Sequence, residues 1–341
     1  MLVMNRKIRI AVIGTGRVGL SHVQGILKSP EIMELAGIVE TNQVLADKVA
    51  ADFKTKAFYS LEEALQDKTI EAFVVSLPQY IHYPIGKQIL EAKRHALIEK
   101  PLGLNLEEVR GLIKIAEQNS VYVMAAQSRR FYKAIQEAKA YLPQVGGPTN
   151  LLYNFSCIFT AKTAPPWWRE EKKSGGLVLG MLGSHSIDLT LWMFEGKKPV
   201  RVYAESRNIS ETFEGDDAST VIISFEDGTM ATNYLSICSS PIKHECLIEG
   251  TNGTVFFKHE GDHVGIIGVS STDVFVNGEK VETSEEPDCF TLQAREFVTA
   301  IIEKRQPSTS GQNVYQTYLI LEAAKESAKL HQPIILADFD V

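Results

Sequence analysis

The chain has 341 residues, 44% hydrophobic and 23% charged, with a formal net charge of −7. That length suits about two domains of ~150 residues, and an acidic balance without a Lys/Arg-rich run argues against a nucleic-acid partner. No apolar run reaches the roughly 18 residues of a membrane span, the opening residues lack a secretory core, and Cys157, Cys238, Cys246 and Cys289 form no C-x-x-C. The expectation is therefore a cytoplasmic protein with free thiols, no metal and no membrane partner.

Taken in order, apolar β-branched runs at 8–13, 35–39, 72–75, 96–98 and 121–125 alternate with helical patterns at 18–28, 43–53, 61–66, 84–93 and 106–118. Continuous apolar strands separated by helices specify a parallel sheet covered on both faces, here a doubly wound Rossmann domain over residues 1–126. The pattern then changes. Gln127-Ser128-Arg129-Arg130 leads into a helix ending near Leu142, and Pro143 and Gly146-Gly147-Pro148 break the chain. From 149 to 281, turn signals at Asp227-Gly228, Asn252-Gly253 and Asn277-Gly278 separate several strands. Helices are expected at 177–194, 291–303 and 314–331. Residues 127–341 therefore form an α+β domain with a large, mostly antiparallel open sheet. Val200, Val202, Val221, Ile223 and Tyr234 are expected on its uncovered face, where a homodimer or homotetramer would form.

The first strand runs into Gly14-Thr15-Gly16-Arg17-Val18-Gly19, a G-x-G-x-x-G that opens a helix. The glycines allow a tight turn and backbone approach to a pyrophosphate, and the helix offers free N–H groups. Glu40 ends the second strand, 21 residues after Gly19, near the ~20 expected of a carboxylate on the adenosine ribose. Such a carboxylate repels a 2′-phosphate, and residues 41–46 hold no arginine; NAD is expected over NADP.

At the end of the fifth strand stands Glu99-Lys100-Pro101. With the glycine motif and His22, with Ser76-Leu77-Pro78 and His82, with Arg129-Arg130-Phe131, with Trp168-Arg169, with Gly183-Ser184-His185 and Asp188, and with the closing stretch 321–333, it resembles the Gfo/Idh/MocA oxidoreductases over nearly the whole chain. The resemblance implies an NAD-dependent dehydrogenase or ketoreductase that moves a hydride between nicotinamide and a CH–OH/C=O carbon of a sugar, cyclitol or sugar derivative. It implies cofactor contacts from the glycine turn (Gly14 to Gly19), Ser76, Leu77, Pro78, His82, Glu99 and Lys100. It also implies a substrate site between the domains, with Lys100 on the reacting hydroxyl. A strand-end lysine can steady developing alkoxide, and histidine as a residue type suits proton transfer near neutrality; Lys100 and His185 are the candidate catalytic residues. Arg129, Trp168, Arg169 and Met181 are candidates to line the substrate. Many relatives carry aspartate where this chain has Met181, which keeps two alternatives open: an enzyme that recycles bound NAD to cleave a glycosidic bond, and a non-catalytic sensor of nucleotide or sugar. A cis Lys100–Pro101 bond is also expected.

Overall fold

A computed structural model describes residues 6–210, 212–260, 271–284 and 286–339. The first stretch runs β1 (Ile8–Ile13), α1 (Arg17–Leu27), β2 (Met33–Val39), α2 (Gln43–Phe53), β3 (Ala57–Phe58), α3 (Leu61–Gln66), β4 (Ala72–Val75), α4 (His82–Glu91), β5 (His95–Glu99), α5 (Leu106–Asn119) and β6 (Val123–Ala126). There follow α6 (Lys133–Ala140), β7 (Pro148–Ile158), α7 (Glu171–Ser174), a π-helical segment (Leu179–Gly183), α8 (Ser184–Met193), β8 (Pro199–Arg207), β9 (Ala218–Phe225), β10 (Met230–Ser236), β11 (Cys238–Gly250), β12 (Gly253–Glu260), β13 (Ser271–Val276) and β14 (Glu279–Val281). The chain closes with α9 (Cys289–Glu303), α10 (Gly311–Leu330) and β15 (Ile334–Ile335).

The first unit holds residues 1–131 together with 287–315. Among the described residues its sheet has six parallel strands in the order β3-β2-β1-β4-β5-β6, so the strand order reverses between β1 and β4. Ala72, Phe73, Val74, Val75, Ala96, Leu97 and Ile98 are at most 1% exposed, which is why these strands read as unbroken apolar runs. The helices start where polar side chains can take up free N–H groups. Asn42 accepts from Leu45, Ser60 from Glu63, Asn105 from Glu108, and Asp288 from Phe290 and Thr291.

A single boundary after residue 126 does not describe this unit. Residues 287–315 return to it because α9 packs on α1, where a side chain at Gly25 would strike the Phe290 backbone. Thr309 also bonds both ways with the Ala125 backbone, at 2.8 and 2.9 Å, alongside β6.

The second unit holds residues 132–286 and 316–341. Among the described residues its sheet has nine strands in the order β14-β13-β12-β11-β7-β10-β9-β8-β15, antiparallel except for β10 beside β7. Alternate residues such as Tyr153, Phe155, Leu235 and Phe257 are buried toward helices, while Leu152 and Tyr234 lie on the opposite, exposed face. Val202, Val221 and Ile223 are 0% exposed, so they belong to the core side and not to the open face expected for them. Tyr234, with Leu152, Leu247 and Phe256, does line a shallow apolar groove there. The helix expected over 177–194 forms over 177–193, but Leu179–Gly183 within it is π-helical before α8 begins. No described helix is long and apolar enough to cross a membrane.

Candidate active site

Within the first unit, the candidate residues gather at the carboxyl ends of β1, β2, β4 and β5. The turn after β1 depends on Gly14, whose φ of +90° suits glycine and where a Cβ would collide with the Ser76 carbonyl. Gly16 differs. Its φ is −65°, and a Cβ there would meet nothing within 4 Å. Gly16 also has no side chain to cap α1, and the first turn of α1 carries no acidic residue. Where Asn42, Ser60, Asn105 and Asp288 cap their own helices, the start of α1 has no side-chain cap among the described residues and borders an open cradle. That cradle fits a pyrophosphate, which such a helix start binds through backbone donors and the helix dipole. Arg17 and Val18 form the first turn above it.

Glu40 is fixed beside this turn. Thr15 Oγ1 donates to its Oε2 at 2.7 Å and the Asn42 backbone N–H to its Oε1 at 3.0 Å. Partial burial would raise the carboxyl, but these hydrogen bonds outweigh it and hold Glu40 below the usual carboxylate range. Across the sheet, His82 joins the loops after β4 and β5. Its Nδ1 lies 2.7 Å from the Pro101 carbonyl oxygen and its Nε2 2.8 Å from that of Leu77. Burial, the dominant influence, lowers its pKa. A neutral ring donates to only one of the two carbonyls. His82 therefore supports the loop of Ser76, Leu77 and Pro78 from behind. Lys100 is half-buried at the end of β5, and its bond to Pro101 is cis. Arg129 is 1% exposed, and Arg130 donates to Asn313 Oδ1 at 2.7 Å.

Within the second unit, His185 is buried on α8, its ring 6.3 Å from that of Phe155 on β7. Asp188, one turn on, accepts a hydrogen bond from Thr317 Oγ1 at 3.3 Å. Met181 is 2% exposed inside the π-helical segment, so the α-helical spacing expected between it and His185 does not apply. Asp216, which sequence reasoning passed over, holds the start of this segment. It accepts from the Val178 and Leu179 backbones at 3.1 and 3.0 Å and from Ser219 Oγ at 2.7 Å. Burial pushes its carboxyl up in spite of these donors. Trp168 packs edge-on against Phe159 and Trp167 at 4.7 and 5.9 Å, and Arg169 donates to the Ala161 carbonyl at 3.0 Å. Both side chains thus brace their own loop.

Residues 8–127 match the profile described as an oxidoreductase family with an NAD-binding Rossmann fold, GFO_IDH_MocA, and residues 145–256 match the GFO/IDH/MocA C-terminal domain. The chain belongs to the GFO/IDH/MocA oxidoreductase family. Among relatives, it is 26% identical over 333 residues to UDP-N-acetylglucosamine 3-dehydrogenase of Acidithiobacillus ferrooxidans, covering 94% of this chain and 97% of that protein. Two solved structures share the fold of this family member. One is the WlbA dehydrogenase from Bordetella pertussis in complex with NADH and UDP-GlcNAcA, with a TM-score of 0.80 and 21% identity over 97% of this chain and 99% of that one. The other is an aldose-aldose oxidoreductase from Caulobacter crescentus, with a TM-score of 0.85 and 18% identity over 97% of this chain and 100% of that one. Like its family, the chain is an oxidoreductase with an NAD-binding Rossmann fold.

Proposed function

We propose that this enzyme oxidises a CH–OH carbon of a sugar or sugar derivative, or reduces the matching ketone, with NAD in preference to NADP. The observation that carries the cofactor half is the uncapped start of α1 over the open Gly16 cradle, next to a Glu40 carboxylate held ionised. A 2′-phosphate brought to Glu40 meets a fixed negative charge, whereas a ribose hydroxyl meets an acceptor. Gly14, Thr15, Gly16, Arg17, Val18 and Gly19 would hold the pyrophosphate. Ser76, Leu77, Pro78, Glu99 and Lys100, at the far side of the strand-order reversal, would hold the nicotinamide half. Bound there, nicotinamide supplies the hydride acceptor or donor.

The chain's own residues then manage charge and proton. The Lys100 ammonium steadies the alkoxide that develops on the substrate oxygen. The His185 imidazole takes the hydroxyl proton as hydride leaves carbon, and returns it in the reverse direction. Arg129, Trp168 and Arg169 serve this reading as supports of the loops around the substrate. The name of the Acidithiobacillus relative favours a sugar or nucleotide-sugar substrate. The groove lined by Leu152, Tyr234 and Phe256 is the surface for a homo-oligomer, which light scattering would detect. The deciding experiment is a panel of free, phosphorylated and nucleotide sugars and cyclitols with NAD and NADP, read by absorbance of the reduced nicotinamide. Reduction of NAD by at least one panel member, with weaker binding of NADP, is the expected result. Equal binding of both cofactors would remove the role given to Glu40. Product formation with no net NADH would point to internal recycling of the cofactor.

A further inference from the structure

His22 lies on α1 beneath the glycine turn, 0% exposed. Its Nε2 is 2.9 Å from Oε1 of Glu99, the last residue of β5, while Glu99 Oε2 accepts the Lys100 backbone N–H at 3.1 Å. The other ring nitrogen of His22, Nδ1, is buried with no hydrogen-bonding partner among the described residues. The ring also stands edge-on to Phe290 of α9, with centroids 4.9 Å apart. This asymmetry assigns the proton. An N–H on Nε2 faces a carboxylate, whereas Nδ1 is buried without a partner among the described residues, so Nε2 carries the N–H that donates to Glu99. Together with the Lys100 backbone N–H, it holds the Glu99 carboxylate in place at the end of β5.

We propose that His22 and Glu99 form a buried charge lever that biases the bound cofactor toward its oxidised form. The inference rests on the NAD reading above. In an open α/β sheet a dinucleotide lies outside the carboxyl ends of the strands at the reversal of strand order. With Glu40 on β2 serving the adenosine side, the ends of β4 and β5 face the other half. Oxidised nicotinamide carries a positive ring and the reduced form does not, so a fixed carboxylate there distinguishes the two. The charged and titratable groups facing Glu99 are His22 from α1, His82 from the start of α4 and Lys100 from its own strand end. Burial would raise the Glu99 carboxyl; the His22 hydrogen bond is the foremost influence that brings it below its ordinary value, with electrostatic attraction from His22, Lys100 and His82 adding to it. His22 is therefore a positioning residue that acts through Glu99.

The test compares dissociation constants for NAD⁺ and NADH, the second by nicotinamide fluorescence and the first by competition, between pH 6 and 9 on the full chain. Wild type should show a nearly flat ratio. Glu99→Gln should raise Kd(NAD⁺)/Kd(NADH) by about tenfold, which corresponds to ~1.4 kcal/mol. His22→Leu removes the donor, so burial lifts the Glu99 pKa and the ratio should climb as pH falls toward 6. His22→Gln places an amide N–H at the same spot and should restore the flat profile. A role confined to packing would weaken both forms alike and leave every ratio within twofold, which would overturn the lever while sparing the NAD reading. Failure of wild type to bind either form would overturn both. Should Glu99→Gln fail to fold, the contrast between His22→Leu and His22→Gln decides the question.

Discussion

In the first unit, Glu40, Glu99 and His82 are each fixed by at least two polar contacts at strand ends. In the second, Met181 and His185 lie on a helical run whose start is tied by the Asp216 carboxylate and whose body is tied through Asp188 to Thr317 and through Thr190 to Asn233. The contrast lies in how position is secured. A parallel sheet buried on both faces leaves its strand ends as rigid platforms, and short loops carry their own polar ties. A helix laid across a large antiparallel sheet takes its position from packing along its length and from the turn where it begins. Error at a strand end should therefore stay local, whereas error at Asp216 should travel along the helix to His185.

The largest effect that would sharpen this contrast is on turnover. His185→Ala should lower kcat on a confirmed substrate by ~100-fold or more, the usual cost of losing a general base, with NAD affinity unchanged. Lys100→Ala should lower kcat comparably. Full turnover in either variant would remove that residue from the chemistry.

Next comes the cradle. Gly16 has an ordinary φ and open space around its missing Cβ, so Gly16→Ser, which keeps a good N-cap, should fold with a nearly unchanged Tm. It should nevertheless weaken NAD by about tenfold or more, because the new side chain occupies the approach of the pyrophosphate. Unchanged NAD affinity by titration calorimetry would show that the pyrophosphate lies elsewhere.

The helix start follows. Asp216→Ala leaves the Leu179 N–H without its acceptor and the Val178 N–H with only the backbone carbonyl of residue 216, and should cost about 1–2 kcal/mol. It should also lower kcat on a confirmed substrate while NAD affinity holds. Loss of NAD affinity in step with kcat would break the distinction drawn between the two units.

The smallest effect concerns acid. His95 accepts the Tyr122 N–H through Nδ1 at 3.0 Å and stacks on that ring; burial lowers its pKa from 6.5 to about 4. The unfolded chain thus binds the proton first as pH falls. Stability at pH 7 should be unaffected by this group, and should decline as pH falls from about 6.5 to 4. Denaturant melts of His95→Gln should show a shallower decline over that window; an identical slope would assign the acid sensitivity to other groups.

Much of the first unit was legible because its signals are local. The bounds of β1, α2, α3 and β4 coincide with the expected ones, since apolar strand cores and helix-capping residues adjoin in sequence. β3 escaped because two residues carry no period. In the second unit, alternation revealed strands but not which phase faces helices, so hydrophobic Val202, Val221 and Ile223 were expected outside when their apolarity marks the core. The π-helical turn gave no compositional sign. Residue types announced the candidates Glu40, Lys100 and His185, but not the partners that position them: His22 and Glu99 meet across 77 residues of chain, and Asp216 reads as one acid in a polar loop.

The return of residues 287–315 to the first unit bears on how the protein is made. A ribosome that has released Phe131 has not yet supplied the segment that covers α1 at Gly25 and sets Phe290 against His22. At typical elongation speeds that segment emerges roughly 10–40 s later. The nucleotide-binding half is therefore completed after most of the second sheet has been synthesised, and a gene fragment stopping at the end of β6 would encode an unfinished domain with a bare helix face.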